Sequence, residues 1–125
     1  ALFQYNSCMA SSDHLNEILF HGTGRKFKVG EVILPPSQTG VRQNWGAKSK
    51  NDPKLVYATD NMDSAQYFAR VAGLMNEGRG RVYEVEPVNP DEARWVDTKF
   101  GKESIRQHVS NEGYRVLRRA WISPK

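Results

Sequence analysis

The chain has 125 residues, 38% of them hydrophobic and 26% charged, with a formal net charge of +4 and a pI of about 9.3. This length and composition fit one globular domain over residues 1–125 and exclude a disordered chain. No apolar run approaches the roughly 20 residues that cross a bilayer, so no membrane partner is expected. A single cysteine, Cys8, excludes an internal disulfide.

The first half of the chain predicts short strands around one helix. Residues 1–13 are small and polar and predict a loose lead-in, and 14–20 favour a short helix that runs into a strand at 19–23. Further strands are expected at 31–34 and 54–59. The segment 37–53 is rich in Gly, Asn, Gln and Lys and predicts a long loop, which is often functional in a compact domain.

The second half begins with the best helical signal. Asp60 and Asn61 are good helix-start residues, apolar residues recur after them at helical spacing, and Gly78 stops the pattern. Strands are predicted at 81–86, 93–96 and 114–122, and 101–113 is predicted as a loop with at most one helical turn. Since regular helices do not separate the strands, we expect an α+β fold with a split, mostly antiparallel sheet and few helices.

Basic residues cluster in two segments. Residues 25–54 and 99–125 each carry seven Lys or Arg against two acidic residues. Such clusters attract polyanions, although a solvated basic surface is the commoner outcome. Trp45, Trp95 and Trp121 are candidates for stacking on exposed bases and equally for core or rim positions.

Most familiar chemical motifs are absent. The sequence has no GxGxxG or Walker loop, no GxSxG elbow, and its histidines are too far apart for zinc spacing. Polar and aromatic residues near strand ends remain. The candidates are His21, Gly22, Thr23, Tyr57, Ser64, Tyr67 and Glu112. Singly, each has an ordinary structural explanation, such as a buried histidine, a core aromatic or a surface carboxylate.

Taken together, these segments resemble the ADP-ribosyltransferase fold of the His-Tyr-Glu type, which poly(ADP-ribose) polymerases and diphtheria-like toxins share. The matching stretches are "HGT", then "VYAT" followed by "SAQY", and then "NEGYRVL". "EGRGRVYEVEP" and "DTKFG" are similar to stretches of the small bacterial rifamycin ADP-ribosyltransferases, the Arr family. The resemblance spans roughly residues 19–122 and implies an NAD+-dependent glycosyltransferase that releases nicotinamide and needs no metal.

The resemblance also implies which residues hold nicotinamide. Tyr57 and Tyr67 would form an aromatic slot for the flat ring. The backbone of Gly22 would offer a donor and an acceptor to the carboxamide at close range, and the Ser64 hydroxyl would complete the site.

The same resemblance assigns other residues to the riboses of NAD+ and to the positive charge that develops on the sugar. His21 would bond the adenosine ribose, and Thr23 would help to fix the sugar. Glu112 would stabilise the cationic sugar of the transition state, so the implied catalytic set is His21, Tyr57 and Glu112. Asp91 or Glu92 is the alternative carboxylate, because the Arr family places an acidic residue downstream of "VEP".

The sequence says less about the acceptor of ADP-ribose than about the donor, NAD+. The basic segments favour RNA or an RNA-bound protein as acceptor. A toxin domain cut from a longer secreted protein, acting in a target cell's cytoplasm and neutralised by an immunity protein, fits that reading. The alternatives are a rifamycin-modifying enzyme, a non-catalytic NAD- or nucleic-acid-binding module, and a basic nucleic-acid-binding domain without an NAD site.

Overall fold

The computed structural model describes residues 18–39, 52–75, 78–100 and 102–124. These residues form seven strands and two helices. In chain order they are β1 (Leu19–Thr23), β2 (Val32–Ile33), α1 (Pro36–Thr39), β3 (Val56–Ala58), α2 (Met62–Met75), β4 (Arg81–Pro87), β5 (Arg94–Phe100), β6 (Glu103–Ser110) and β7 (Tyr114–Ile122).

The strands form two antiparallel sheets. The first has the order β1-β4-β7-β2 and the second has the order β3-β6-β5. The sheets meet edge to edge where Phe20 of β1 and Thr59 exchange two backbone hydrogen bonds, of 2.7 and 2.9 Å. The predicted α+β class with a split, mostly antiparallel sheet is therefore confirmed.

The main core lies on one face of the joined sheets. Alternate residues of each strand point to the same face, and Leu19, Val56 and Ala58 turn towards this core. Tyr83 and Tyr114 fill its centre and are almost completely buried. The core holds the β1 and β3 edges together, and this leaves the opposite face for α2.

Helix α2 packs closely on that opposite face. Asn61 caps the helix, because its side-chain oxygen accepts the Ser64 N–H at 2.9 Å. A Cβ added at Gly22 would lie 2.3 Å from the Ala65 carbonyl oxygen and 2.8 Å from the Ala69 nitrogen. The bare backbone of Gly22 thus lets α2 lie directly on β1.

Some sequence predictions differ from the structure. The prediction of a loop over 101–113 is wrong, since β6 is an eight-residue strand, and β5 extends to Phe100 rather than ending at 96. β5 and β6 form backbone hydrogen bonds with each other along their ladder, so neither would be stable as an isolated strand. Residues 36–39 form a short helix, where a loop was predicted from residue 37 onwards. The lead-in, most of the predicted first helix and loop residues 40–51 lie outside the described residues.

Candidate active site

Gly22 presents its backbone groups at the open edge of β1. The N–H and C=O of Phe20 point away from β4, because they bond to Thr59. In an antiparallel ladder, residues two apart direct their backbone groups to the same side. The N–H and C=O of Gly22 therefore also point away from β4, as a donor and an acceptor side by side.

His21 is held in one tautomer. Its Nδ1 lies 2.7 Å from the carbonyl oxygen of Tyr57. A carbonyl can only accept, so Nδ1 carries the proton and Nε2 is left as an acceptor. Burial lowers the pKa of His21, and the hydrogen bond to Tyr57 raises it by less. The imidazole is therefore neutral at neutral pH.

Tyr57 lies on β3 with its ring half-buried. Its hydroxyl accepts the Asp52 N–H at 2.7 Å. Burial raises the pKa of this phenol, the hydrogen bond from Asp52 lowers it by less, and the Asp52 charge adds a smaller increase. Tyr57 pairs directly with Val109 of β6, and residues paired in this way place their side chains on the same face of a sheet.

An open cleft of about 450 Å³ separates the start of α2 from the start of β6. It is lined by Asp63, Ser64, Tyr67, Phe68, Glu103 and Ile105. The Tyr67 side chain is 48% exposed, and its ring meets Phe68 edge to face at 5.6 Å. The structure thus brings two of the predicted residues, Ser64 and Tyr67, into one cleft. Glu103 and Ile105 are not among the residues predicted from the sequence, because their segment was predicted as a loop. The even spacing of Ile105 and Val109 was a weak strand signal.

Thr23 is buried at the end of β1, with 8% of its surface exposed. Its hydroxyl oxygen accepts the Arg25 N–H at 3.0 Å. This bond orients the hydroxyl within the turn that leaves β1. Thr23 therefore lies next to Gly22, with its hydroxyl already engaged by the backbone.

Glu92 binds the turn between β6 and β7. Its carboxylate accepts the Ser110 hydroxyl and the N–H groups of Asn111 at 3.1 Å and Glu112 at 3.2 Å. Burial raises the pKa of Glu92, but the Ser110 bond, the two N–H bonds and the Arg94 charge outweigh it, so the net pKa is lowered. This carboxylate is engaged in holding the turn.

Glu112 and Asp91 are exposed at the same end of the fold. The Glu112 carboxylate accepts from the Asn89 side-chain amide at 2.8 Å, and the Asp91 N–H donates to the Asn89 side-chain oxygen at 3.1 Å. These residues lie beyond Ser110, whereas the cleft lies at the other end of β6. An eight-residue strand spans about 24 Å. The three carboxylates predicted from the sequence therefore cluster together, away from Ser64 and Tyr67.

The positive charge of β7 is partly neutralised by β4. The Arg118 Nε donates to Glu84 at 2.9 Å, and Arg115 lies 3.8 Å from Glu86. Both pairs cross between adjacent strands and are largely exposed, so they stabilise the fold only weakly. They reduce the basic surface that the sequence suggested.

An arginine guanidinium lies over the ring of each tryptophan that the structure describes. The Arg106 guanidinium lies 4.2 Å from the centre of the Trp95 ring, and that of Arg70 lies 5.8 Å from the Trp121 ring. Both tryptophans also pack against the hydrophobic clusters. Their positions fit packing against the core, and Trp45 lies outside the described residues.

The described residues contain neither a metal-binding cluster nor a membrane-spanning helix. Within residues 18–39, 52–75, 78–100 and 102–124, no three His, Cys, Asp or Glu side chains gather as a metal site would require. Neither α1 nor α2 has the length and apolar character needed to pass through a bilayer.

The sequence comparison identifies the family. The chain matches the family described as rifampin ADP-ribosyl transferase over residues 19–120, which is most of its length. It belongs to the rifampin ADP-ribosyl transferase family. Membership confirms the resemblance to the Arr family and makes the chain an ADP-ribosyltransferase, an enzyme that uses NAD+ as its substrate. No curated protein matches the chain.

Proposed function

We propose that this protein transfers ADP-ribose from NAD+ to a rifamycin-type antibiotic and releases nicotinamide. The observation that carries the proposal is the family match over residues 19–120. The matched range contains the open backbone edge of Gly22 and the cleft beside Ser64 and Tyr67. These are the groups that NAD+ would require.

Nicotinamide suits the face of β1 and β3 next to α2. A carboxamide needs one donor and one acceptor, and the Gly22 backbone offers both at the open edge of β1. Tyr67 has an exposed ring on the adjoining helix, and Tyr57 has a half-buried ring on β3. We assign to these two rings the walls of an aromatic slot, and to Ser64 a further hydrogen bond to the carboxamide.

The ribose contacts follow from the protonation of His21. Its Nε2 is an acceptor, since Nδ1 donates to the Tyr57 carbonyl. An acceptor nitrogen fits a ribose hydroxyl, which has a proton to donate. We assign this contact to His21. Thr23 supports the turn after β1 through its bond from Arg25 and would fix the same sugar indirectly.

A small acceptor fits better than a macromolecular one. The description of the family, rifampin ADP-ribosyl transferase, names a small molecule as the acceptor. The basic strand β7, which favoured RNA at the sequence level, has Arg115 and Arg118 paired with glutamates. The proposed toxin role, the RNA acceptor and the immunity partner therefore lack support beyond net charge. We place the site of action in the cytoplasm, where NAD+ is supplied.

One reaction tests the proposal. The purified chain is incubated with labelled NAD+ in separate arms that contain rifampicin, RNA, mixed proteins or no acceptor. We expect label in rifampicin, one ADP-ribose per antibiotic by mass spectrometry, and an equal amount of free nicotinamide. Label in RNA or protein with unmodified rifampicin would contradict the acceptor. Binding of NAD+ without nicotinamide release in any arm would favour a non-catalytic binding module.

A further inference from the structure

We propose that three arginines near the end of β1, Arg25, Arg79 and Arg81, bind the diphosphate of NAD+. The inference rests on the proposed function and deepens it, because it names where the two phosphates of the dinucleotide lie. None of the three belongs to the candidate residues that the sequence offers. The structure brings them together at one end of the first sheet.

Arg81 has an unused donor. It is the first residue of β4, and its Nη1 donates to the Arg79 carbonyl oxygen at 3.2 Å. Its Nε is buried and bonds to no acceptor among the described residues. A buried donor without an acceptor is costly to the fold. Nε and the neighbouring Nη2 of a guanidinium form a fork that matches two phosphate oxygens, so a bound phosphate would satisfy the Arg81 Nε.

Strand pairing places Arg81 next to the proposed ribose contact. His21 is paired with Tyr83, and Thr23 is paired with Arg81. Paired residues of an antiparallel ladder share a face, and so do residues two apart along a strand. His21, Thr23 and Arg81 therefore lie on one face, with Arg81 about 7 Å from His21 along the strand direction. This spacing suits a nucleotide whose ribose hydroxyl bonds to His21 and whose phosphate reaches Arg81.

The loop after β1 brings Arg25 to the same side of the sheet. The Phe27 N–H donates to the Tyr83 hydroxyl at 2.8 Å, and the two rings meet edge to face at 5.7 Å. The Arg25 guanidinium lies 5.3 Å from the centre of the Phe27 ring. Because Tyr83 shares its face with His21 and Arg81, this packing holds the Arg25 charge on their side. Arg25 is exposed, so its charge is open to a ligand.

No carboxylate neutralises these charges within the described ranges. The ion pairs of the described residues involve other arginines, and they are Arg94–Glu92, Arg115–Glu86 and Arg118–Glu84. Glu84 and Glu86 are an odd number of residues from Arg81 on β4, so their side chains lie on the other face. Arg79 donates from Nε and Nη2 to the Ser123 carbonyl oxygen, which fixes its charge beside Arg81. Unneutralised guanidinium groups at one point attract a diphosphate.

A second nucleotide phosphate has the same chemistry. The arginines would also suit a phosphate on the 2′ carbon of an adenosine, as in NADP+. The diphosphate is favoured because it joins the two riboses of NAD+, whose contacts are proposed on this part of β1. The experiment therefore uses adenosine, ADP and adenosine 2′-monophosphate as separate probes, with the Kd of each measured by calorimetry.

The test compares Arg81→Gln and Arg25→Gln with a matched control, Arg106→Gln. The Arg106 guanidinium also lies over an aromatic ring, that of Trp95, but on the second sheet. We expect wild type to bind ADP more tightly than adenosine, and Arg81→Gln to weaken ADP about 10- to 100-fold. Arg25→Gln should weaken ADP by less, since an exposed charge is screened by water and salt. Adenosine should bind all variants alike, and Arg106→Gln should match wild type with every probe.

Several results would overturn the diphosphate site. They are equal Kd values of wild type for ADP and adenosine, an Arg81→Gln protein with wild-type affinity for ADP, and an Arg81-dependent preference for adenosine 2′-monophosphate over ADP. Melting temperatures check the fold of each variant. If Arg81→Gln does not fold, Arg81→Lys, which keeps the charge without the fork, and Arg25→Gln decide by their loss of ADP affinity. If wild type binds ADP as expected but transfers no ADP-ribose to rifampicin, the proposed function fails while the diphosphate site stands.

Discussion

Tyr57 contributes a ring and a hydroxyl that two substitutions can separate. Tyr57→Ala removes the proposed stacking wall, whereas Tyr57→Phe removes just the acceptor of the Asp52 N–H. Aromatic stacking is worth about 0.5–1.5 kcal/mol, so we expect Tyr57→Ala to weaken NAD+ binding by about two- to tenfold. Tyr57→Phe should bind nearly as wild type. Calorimetry gives the affinities, and circular dichroism gives the melting temperatures. A Tyr57→Ala protein that does not fold would show that the ring belongs to the core instead.

The burial of His21 predicts that the free energy of unfolding of the protein depends on pH. Burial lowers the pKa of His21 below its ordinary value of 6.5, so the unfolded chain takes up the proton first as the pH falls. The free energy of unfolding is then highest above pH 6.5 and decreases as the pH falls below it, until the folded-state pKa is reached. Urea unfolding at about pH 7.5 and about pH 5.5 measures this slope. His21→Gln should lose part of it, and an unchanged slope in that variant would contradict the assignment.

Between elements, the contact of α2 with β1 depends on Gly22. A methyl group there would lie 2.3 Å from the Ala65 carbonyl oxygen, and helix backbone cannot move aside as a flexible side chain can. We expect Gly22→Ala to lower the free energy of unfolding by about 1–3 kcal/mol and also to weaken NAD+ binding, since it shifts the proposed carboxamide site. Gly30→Ala is the control, because Gly30 has open space around it and a φ of 91°. Gly30→Ala should cost stability alone, and NAD+ affinity unaffected by Gly22→Ala would contradict the proposed contact.

The turn between β6 and β7 depends on Glu92 in a different way. Glu92→Gln weakens the bonds from Asn111 and Glu112, and hydrogen bonds to a charged group contribute about 1.5–3 kcal/mol. We expect lower stability of Glu92→Gln but a normal kcat at temperatures where it is folded. Thermal unfolding and nicotinamide release measure the two effects. A folded Glu92→Gln protein without turnover would instead place the third catalytic carboxylate at Glu92.

For the molecule as a whole, whose net charge is +4, the two acceptor classes predict different salt responses. A protein that binds RNA through several phosphates loses affinity steeply as salt rises, since bound counterions are released. Transfer to a small acceptor that carries no row of phosphates has no such steep dependence. We expect kcat/KM for rifampicin to change less than about threefold between 50 and 200 mM salt, against the about 10³-fold or larger loss typical of a multi-phosphate contact. A steep salt dependence would favour the macromolecular acceptor.

The sequence alone determined the features whose signals are local. The bounds of β1 and β7 follow from runs of strand-forming residues, and the start of α2 follows from the cap at Asn61. The order of the short motifs around His21 and Tyr57 was enough to identify the enzyme class, which the family match confirmed. Such signals need no partner, because they depend on neighbours in the chain.

The tertiary structure decided β6 and, with it, which residues line the cleft beside α2. Strand β6 forms ladders with both β3 and β5, and its mixed polar and apolar sequence, ESIRQHVS, carries only a weak local strand signal. The same pairing separates Glu112, at the Ser110 end of β6, from Glu103, at the cleft end. The resemblance to the His-Tyr-Glu group favoured Glu112, whereas strand register, which is a property of the folded sheet, places Glu103 and Ile105 beside Ser64 and Tyr67.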